Sequence, residues 1–226
     1  MRIIVVVLIL LSFSCVDKNK TIKIQEPTQT NEQLIAMLDS IWITEQQPIT
    51  LRDSMIELHG ADSKEAEKYQ LIYEKNHVIN EEKITNLLDS KGWPEKNVIG
   101  EQGNWTICNV IQHAENDVRI KYLPMMKEAV LAKQLLPRFL VRAQDRIATE
   151  QGQLQIYGGQ MKYYPETKSF NVWPVFDPEN IDKRRAEIGL DPIAEFLKAR
   201  FNFDWNLEEQ IQRSKEFEAQ QKEKSN

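Results

Sequence analysis

From residue 30 onward, apolar residues recur every three to four positions, which is the spacing of an amphipathic α-helix. Thr30 and Gln33 stand three residues apart ahead of the first such stretch, and this spacing predicts a capping box at a helix N-terminus. The apolar stripe that follows consists of Leu34, Leu38, Ile41 and Trp42. The domain is therefore predicted to open with a helix.

Two further helices are predicted between residues 63 and 92. One begins near Ser63 and carries an apolar set made of Tyr69, Ile72 and Tyr73. The next begins near Asn80 and runs through Ile84, Leu87 and Leu88. It is predicted to stop at Gly92, because glycine suits the left-handed position after a helix and Pro94 follows two residues later.

Three more helices are predicted in the middle of the chain, over residues 104–116, 118–135 and 138–150. Asn104 is placed to cap the first of them, and Pro124 lies near the start of the second. Pro137 stands where the first turn of a helix tolerates proline, so it predicts the start of the third. That helix is predicted to close at Gly152.

Residues 152–164, GQLQIYGGQMKYY, interrupt the helical pattern with glycines, amides and aromatic residues. Alternating positions over 154–163 and 169–175 predict two short strands, joined by a turn at 165–168. The sequence therefore predicts a small β-hairpin at this point in the chain.

Helical signals return after the hairpin. Asp177-Pro178 predicts the start of a helix that ends at Gly189, and Asp191-Pro192 predicts another that ends near Arg200. The final stretch, 207–226, is charged and rich in Gln, Glu and Lys, so it predicts either a frayed helix or a disordered segment.

Taken together, these elements predict a mainly α fold, a single helical domain with a small β-hairpin insert over about 154–175. The domain is predicted to span residues 31–203, followed by a charged C-terminal tail over 204–226. No internal repeat or change in composition indicates a second domain.

The N-terminus predicts export. Residues 3–11, IIVVVLILL, follow Arg2 and are too short to span a bilayer, so they fit the apolar region of a signal peptide over 1–14. Small residues then precede Cys15, which predicts a lipidated cysteine, and residues 15–30 predict a flexible tether. The alternative is an ordinary cleaved signal. The expected location is the cell envelope, with the domain in the periplasm or at the cell surface, attached to a bacterial membrane through the lipid on Cys15.

The formal net charge of −5 and the pI near 5.4 give no general attraction to nucleic acid, so no nucleic-acid partner is expected. Once Cys15 carries lipid, Cys108 has no partner for a disulfide and is predicted to be a small buried residue. No metal-binding motif occurs, so neither a metal nor another cofactor is expected.

His113 and Asp145 are the candidate catalytic residues. Residues four positions apart share a face of a helix, so His113 and Asp117 could meet, and either Asp117 or Asp145 could orient a histidine base. The structural alternative is a histidine that only makes hydrogen bonds. Arg146 follows Asp145 and could bind a carboxylate or phosphate, or form a buried ion pair that holds neighbouring elements.

The glycine-hinged segment supplies most of the candidate binding residues. Gln155 and Gln160 offer amide donors and acceptors on both sides of Gly158-Gly159, and Tyr157 offers an aromatic face with a hydroxyl. Such groups suit glycans and peptides, although glutamines can equally satisfy the backbone at a junction. The other candidates, each also open to a structural interpretation, are Gln112 and Trp93.

Seven short segments occur in the order that resembles a bacterial domain family of unknown function, whose members often carry signal or lipoprotein leaders. They are GWP (92–94), IQHAEND (111–117), LP (123–124), QDR (144–146), GQLQIYGGQ (152–160), RR (184–185) and GLDPIAEFL (189–197). The resemblance covers about 32–201 and implies the architecture and the choice of residues, with no implied chemistry. Gly159 replaces the family's usual threonine, and Glu45-Gln46 resembles an acidic-Gln pair in the first helix.

Three functions are compatible with these residues. The first is a binding or interaction module for a polar ligand, which could be a glycan, a peptide or an envelope protein partner. The second is an envelope hydrolase that uses His113 with Asp145 or Asp117. The third is a structural scaffold, which predicts that the polar residues pair only with one another and that no cleft exists.

Overall fold

The computed structural model describes residues 30–166 and 168–224. These form eight α-helices, one 3-10 turn (Pro178–Asn180) and one two-stranded sheet. In chain order they are α1 (Asn31–His59), α2 (Lys64–Lys91), α3 (Lys96–His113), α4 (Asn116–Leu131), α5 (Pro137–Glu150), β1 (Met161–Tyr164), β2 (Ser169–Val172), α6 (Ile181–Glu187), α7 (Ile193–Phe201) and α8 (Leu207–Lys224). The prediction of a mainly α fold with a small hairpin is confirmed.

Residues 1–29, which hold the predicted signal peptide, Cys15 and most of the predicted tether, lie outside the described residues. The lipid anchor therefore stays a prediction. Of the helices that are described, none combines the length and the apolar character that a bilayer crossing requires.

The first two helices form a long antiparallel hairpin. Thr30 and Gln33 make the predicted capping box of α1, and the Ser63 hydroxyl accepts a hydrogen bond at the start of α2. The predicted break before Asn80 is wrong, because α2 runs without interruption to Lys91. Asn80 lies buried inside the helix, and its Nδ2 donates to Glu45 Oε1 at 2.9 Å on α1.

The third helix begins earlier than predicted. It starts at Lys96 and bends at Gly100, where the φ of 65° interrupts the helical backbone. Asn104, predicted as the cap, lies after this bend, and its Nδ2 donates to the Gly100 carbonyl at 3.1 Å. Trp93 packs on the core beside it and donates from Nε1 to Asn104 Oδ1 at 2.8 Å.

The end of α3 and the helix that follows also differ from the prediction. The helix ends at His113, because Ala114 has an extended backbone with ψ near 173°. Pro124 lies inside α4 rather than near its start. Pro137 occupies the first turn of α5, as predicted.

Two apolar clusters support the fold. The larger one is formed by all five helices from α1 through α5, and its most buried members include Ile41, Ile84, Ile107 and Ile111. Cys108 is buried in it, as the sequence predicted. The smaller cluster joins the hairpin to α6 and α7 through Val172, Val175, Ile181, Ile193 and Leu197.

The hairpin is shorter than predicted. Strands β1 and β2 pair in antiparallel register from Met161 with Val172 to Tyr164 with Ser169, and the turn lies where expected. Residues 154–160 form a loop rather than a strand and meet the sheet region through one parallel bridge, between Gln155 and Val175. We call residues 155–160 the clamp loop.

The charged C-terminal stretch forms the helix α8, and it packs on the smaller cluster. The Ser214 hydroxyl donates to the Val175 carbonyl at 2.8 Å and accepts from the Val175 N–H at 3.0 Å. Trp173 and Phe217 meet edge to face with ring centroids 5.8 Å apart. Of the two alternatives left open by the sequence, the described part is therefore helical.

Candidate functional site

Asp145 is the anchor of the clamp loop. The side chain is fully buried on α5, and its Oδ1 accepts hydrogen bonds from the N–H groups of Ile156 and Tyr157, both at 2.8 Å. Its Oδ2 accepts from the Gly159 N–H, also at 2.8 Å. Both carboxylate oxygens are thus engaged by backbone donors, so Asp145 fixes the shape of the loop.

The two glycines let the loop approach this carboxylate. Gly158 has a φ of 80°, and an added Cβ would lie 2.7 Å from Ile193 Cδ1. A Cβ on Gly159 would lie 3.2 Å from Asp145 Oδ2. The Gly-Gly pair therefore permits both a left-handed backbone and a close contact with the buried charge.

Gln155 closes the loop from inside. Its Nε2 donates to the carbonyls of Gln160 at 3.1 Å and Trp173 at 2.8 Å, and its Oε1 accepts from the Gln160 N–H at 2.8 Å. The residue is completely buried. Gln155 therefore acts as a backbone partner at the junction, which was the structural alternative for this glutamine.

Two adjacent arginines on α6 hold the outer side of the clamp loop. Arg184 donates to the carbonyl of Ile156, and Arg185 donates from Nη1 to the carbonyl of Tyr157 at 2.6 Å. Arg185 is almost completely buried and also donates from Nε to the Asp191 carbonyl at 2.7 Å. Both side chains therefore face the loop.

The environment of Asp145 shifts the pKa of its carboxyl group in two opposite directions. Burial raises the pKa of the carboxyl group above its ordinary value, and this effect is the larger one. The three amide donors and the charge of Arg185 lower the pKa. The loop is thus tied to a group whose hydrogen bonds offset part of the loss of solvation.

A cavity of about 780 Å³ lies beside the clamp loop, between α3, α5 and the segment that carries α6 and α7. This volume is within the range of ligand pockets in proteins, which is roughly 300–1,000 Å³. Aromatic walls come from Trp105, Phe139, Phe196 and Phe201. The scaffold hypothesis predicted no cleft, so this cavity counts against it.

The cavity gathers most of the residues predicted from the sequence. Those that line it are Gln112, Asp145, Arg146, Tyr157 and Gln160. Gln155 lies behind the loop and is not part of the lining, and Trp93 packs in the larger core cluster. The fold thus brings five of the candidate residues, from α3, α5 and the clamp loop, to one cavity.

Gln112 has an unusual environment. The residue is only 6% exposed, and its Nε2 is buried without a hydrogen-bond partner among residues 30–166 and 168–224.

The backbone carbonyl of Gln112, by contrast, accepts a hydrogen bond from Arg119 Nη1 at 3.1 Å. Arg119 also bonds the Ala114 carbonyl and the Glu150 carboxylate, so it fixes the end of α3 against α5. Arg119 was missed in the sequence analysis, because no local pattern distinguishes an arginine that caps another helix.

His113 lies next to Gln112 at the end of α3, where part of the residue is open to solvent and part is covered by protein, and it does not line the cavity. No hydrogen bond joins it to Asp145 or Asp117 in the described part of the chain; Asp117 Oδ1 instead accepts from the Val118 N–H at 2.8 Å. Partial burial of the ring, followed by the charges of Arg146 and Arg142, lowers the pKa of His113 to about 4. The histidine is therefore neutral at pH 7.

Sequence reasoning missed several arginines that line the cavity. In addition to Arg146 and Arg185, the lining contains Arg138, Arg142 and Arg200. The first two of these stand at positions 138 and 142, eight and four residues before position 146 on α5. This spacing places three arginines on one face of a helix, and it was available in the sequence.

No cluster of three or more His, Cys, Asp or Glu side chains suited to a metal ion occurs among the described residues. The chemistry that this lining can perform is the binding of a ligand by guanidinium, amide and phenol groups beside aromatic surfaces. The fold and the cavity together define a mainly helical domain with a pocket lined by arginines and aromatic side chains.

The chain belongs to a family of unknown function (DUF6624), whose sequence pattern matches residues 31–204. This confirms the resemblance to an uncharacterised domain family. No curated protein and no solved structure matches the chain.

Proposed function

We propose that this protein is a non-catalytic binding module of the bacterial cell envelope, which holds a polar ligand in the cavity beside the clamp loop. The observation that carries the proposal is Gln112. A buried amide N–H that lacks a partner costs about 1–3 kcal/mol, and a ligand acceptor in the cavity would remove that cost.

The rigidity of the clamp loop supports the same function. Asp145, Gln155 and Arg185 hold its backbone through buried hydrogen bonds, so Tyr157 and Gln160 are fixed at the cavity before a ligand arrives. Preorganised groups lose little conformational entropy on binding. The aromatic walls add surface for the apolar faces of a sugar or a peptide.

The predicted N-terminal signal supports the location. A lipid on Cys15 would attach the chain to the membrane, and the tether over 15–30 would leave the domain free to bind in the periplasm or at the cell surface.

The two buried glutamines provide the test. Gln112→Leu removes an amide that has no protein partner, so we expect the free protein to keep or gain thermal stability. Gln155→Leu is the matched control, because it removes three hydrogen bonds from a completely buried amide and should lower the melting temperature clearly.

Binding is then measured by isothermal titration calorimetry, with an N-acetylated disaccharide and short peptides of different charge as probes. We expect at least one probe to bind the wild-type protein and to bind Gln112→Leu about tenfold more weakly, as the loss of one hydrogen bond implies. A Gln112→Leu protein that is destabilised as much as Gln155→Leu would show a purely structural glutamine and overturn the proposal.

A further inference from the structure

The charge of the cavity lining is strongly one-sided. Five arginines line it, together with two aspartates, Asp145 and Asp191, and no lysine or glutamate. The lining therefore has three more positive than negative charges, although the whole chain has a formal net charge of −5. Because the chain as a whole is acidic, this concentration of arginines is a property of the cavity itself and not of the overall charge.

Most of this positive charge lacks a carboxylate partner. The carboxylate of Asp145 is occupied by three backbone N–H groups. Arg146 pairs with the exposed Glu150, with Nε 3.1 Å from Oε1, but Glu150 also pairs with Arg119. Arg142 has no hydrogen bond and no ion pair within residues 30–166 and 168–224. Arg200 has its guanidinium over the Phe201 ring, 5.4 Å from the centroid.

The arrangement has a physical cost. Arginines four residues apart on a helix repel one another by about 0.2–0.5 kcal/mol per pair. Burial, then the charge of Arg200 and then that of Arg146, lower the pKa of Arg142, because each of these disfavours a further positive charge. A bound anion would offset the repulsion between these positive charges.

We propose that the ligand of this cavity is an anion, and that Arg142, Arg146 and Arg200 bind its carboxylate or phosphate group. This inference rests on the proposed binding function and names the chemical class of its ligand. Guanidinium groups bind both kinds of anion through paired N–H donors. The Gln112 amide then donates to a second acceptor of the same ligand, and Phe196 and Phe201 cover its less polar part.

Calorimetric titration with two probes tests the proposal and separates the two anion types. Pyrophosphate and citrate are titrated at constant ionic strength, which keeps general screening unchanged, with a neutral disaccharide as the reference. We expect at least one anion to bind the wild-type protein. We expect Arg142→Gln and Arg200→Gln to weaken that binding about tenfold or more, as the loss of a charged hydrogen bond implies.

Arg52→Gln is the matched control for these variants. Arg52 lies on α1, away from the cavity lining, and pairs with Asp53 at 2.8 Å, so its removal changes the net charge equally and should leave anion affinity unchanged. Arg142→Lys keeps the charge but removes the planar donor pair, so its affinity should lie between those of wild type and Arg142→Gln.

Thermal stability provides a second measurement that a structural arginine would not reproduce. In anion-free buffer Arg142→Gln should melt at the same or a higher temperature than wild type, and the rise that anions produce in wild type should be absent. Equal anion affinity in Arg142→Gln and Arg52→Gln, or no binding of either anion, overturns the proposal. Gln112-dependent binding of the neutral disaccharide would leave the binding function standing without its anionic ligand.

Discussion

At the scale of single residues, the pKa values of two histidines, His113 and His77, are shifted in opposite directions. Partial burial and the nearby Arg146 and Arg142 lower the pKa of His113 to about 4. The pKa of His77 is raised, because its Nδ1 bonds the buried carboxylate of Glu45 at 3.2 Å and this outweighs the effect of burial. His113 is thus kept neutral by burial and by neighbouring positive charge, and His77 is protonated more readily because of negative charge.

The shift of His113 predicts a definite pH dependence. In the unfolded chain the ring binds a proton near pH 6.5, and in the folded chain near pH 4, so its contribution to stability is present above pH 6.5 and is lost as pH falls towards 4. Proton NMR titration should find the folded value well below 6.5. Arg146→Gln should raise that pKa, since it removes a neighbouring positive charge. An unshifted histidine in the wild-type protein would contradict this account.

Residue chemistry also shows where sequence reasoning reached its limit. The caps at Thr30 and Ser63 and the proline at 137 were predicted correctly, because their partners lie within the same turn. The pairing of His113 with Asp117 required a continuous helix, and the extended backbone at Ala114 separates them. A break one residue long cannot be read from periodicity alone.

At the scale of elements, the predictions failed where distant segments pair. Asn80 looked like a helix start, but its amide is required inside α2 by Glu45, which lies 35 positions earlier on α1. The clamp loop was predicted as a strand, since its alternation is regular. It is a loop because Asp145 on α5 draws three of its N–H groups inward, and no local pattern reveals that carboxylate.

The C-terminal helix gives a prediction at this scale. Ser214 is buried and satisfies both the N–H and the carbonyl of Val175, so Ser214→Ala should leave two backbone groups without a partner. We expect a loss of about 1–3 kcal/mol in the free energy of unfolding, measured by urea denaturation. Ser90→Ala, on the exposed face of α2, is the control and should change stability by less than about 0.5 kcal/mol. If Ser214→Ala were as stable as Ser90→Ala, the contact of α8 at this residue would contribute little to the free energy of unfolding.

At the scale of the whole molecule, the site was only partly predictable. Five of the predicted residues line the cavity: three lie on α3 and α5, and two, Tyr157 and Gln160, lie on the clamp loop that Asp145 holds against α5. The volume of the cavity, the contribution of α7 and the orientation of Arg185 depend on how the smaller cluster docks against α5. These features arise from packing between segments far apart in the chain, which a single sequence does not encode in any local pattern.

The location of the molecule is a separate prediction. If Cys15 is lipidated, cells that express the full chain should incorporate a labelled fatty acid into it and should hold it in the membrane fraction. Cys15→Ser should abolish the label and release the domain, and Cys108→Ser is the control because Cys108 is buried in the core. Labelling of Cys15→Ser at the wild-type level would exclude an anchor at this position.

The carboxylate beneath the clamp loop also restricts how a ligand can reach the cavity. Displacing the loop would remove all three hydrogen-bond donors from Asp145 and leave an unpaired charge in the interior. The loop side of the cavity is therefore expected to stay closed. A ligand would therefore enter and leave the cavity through the rim formed by α7, where Arg200 and Phe201 are open to solvent. Exchange of the amide hydrogens of Ile156, Tyr157 and Gly159 should accordingly be slow whether or not the cavity is filled.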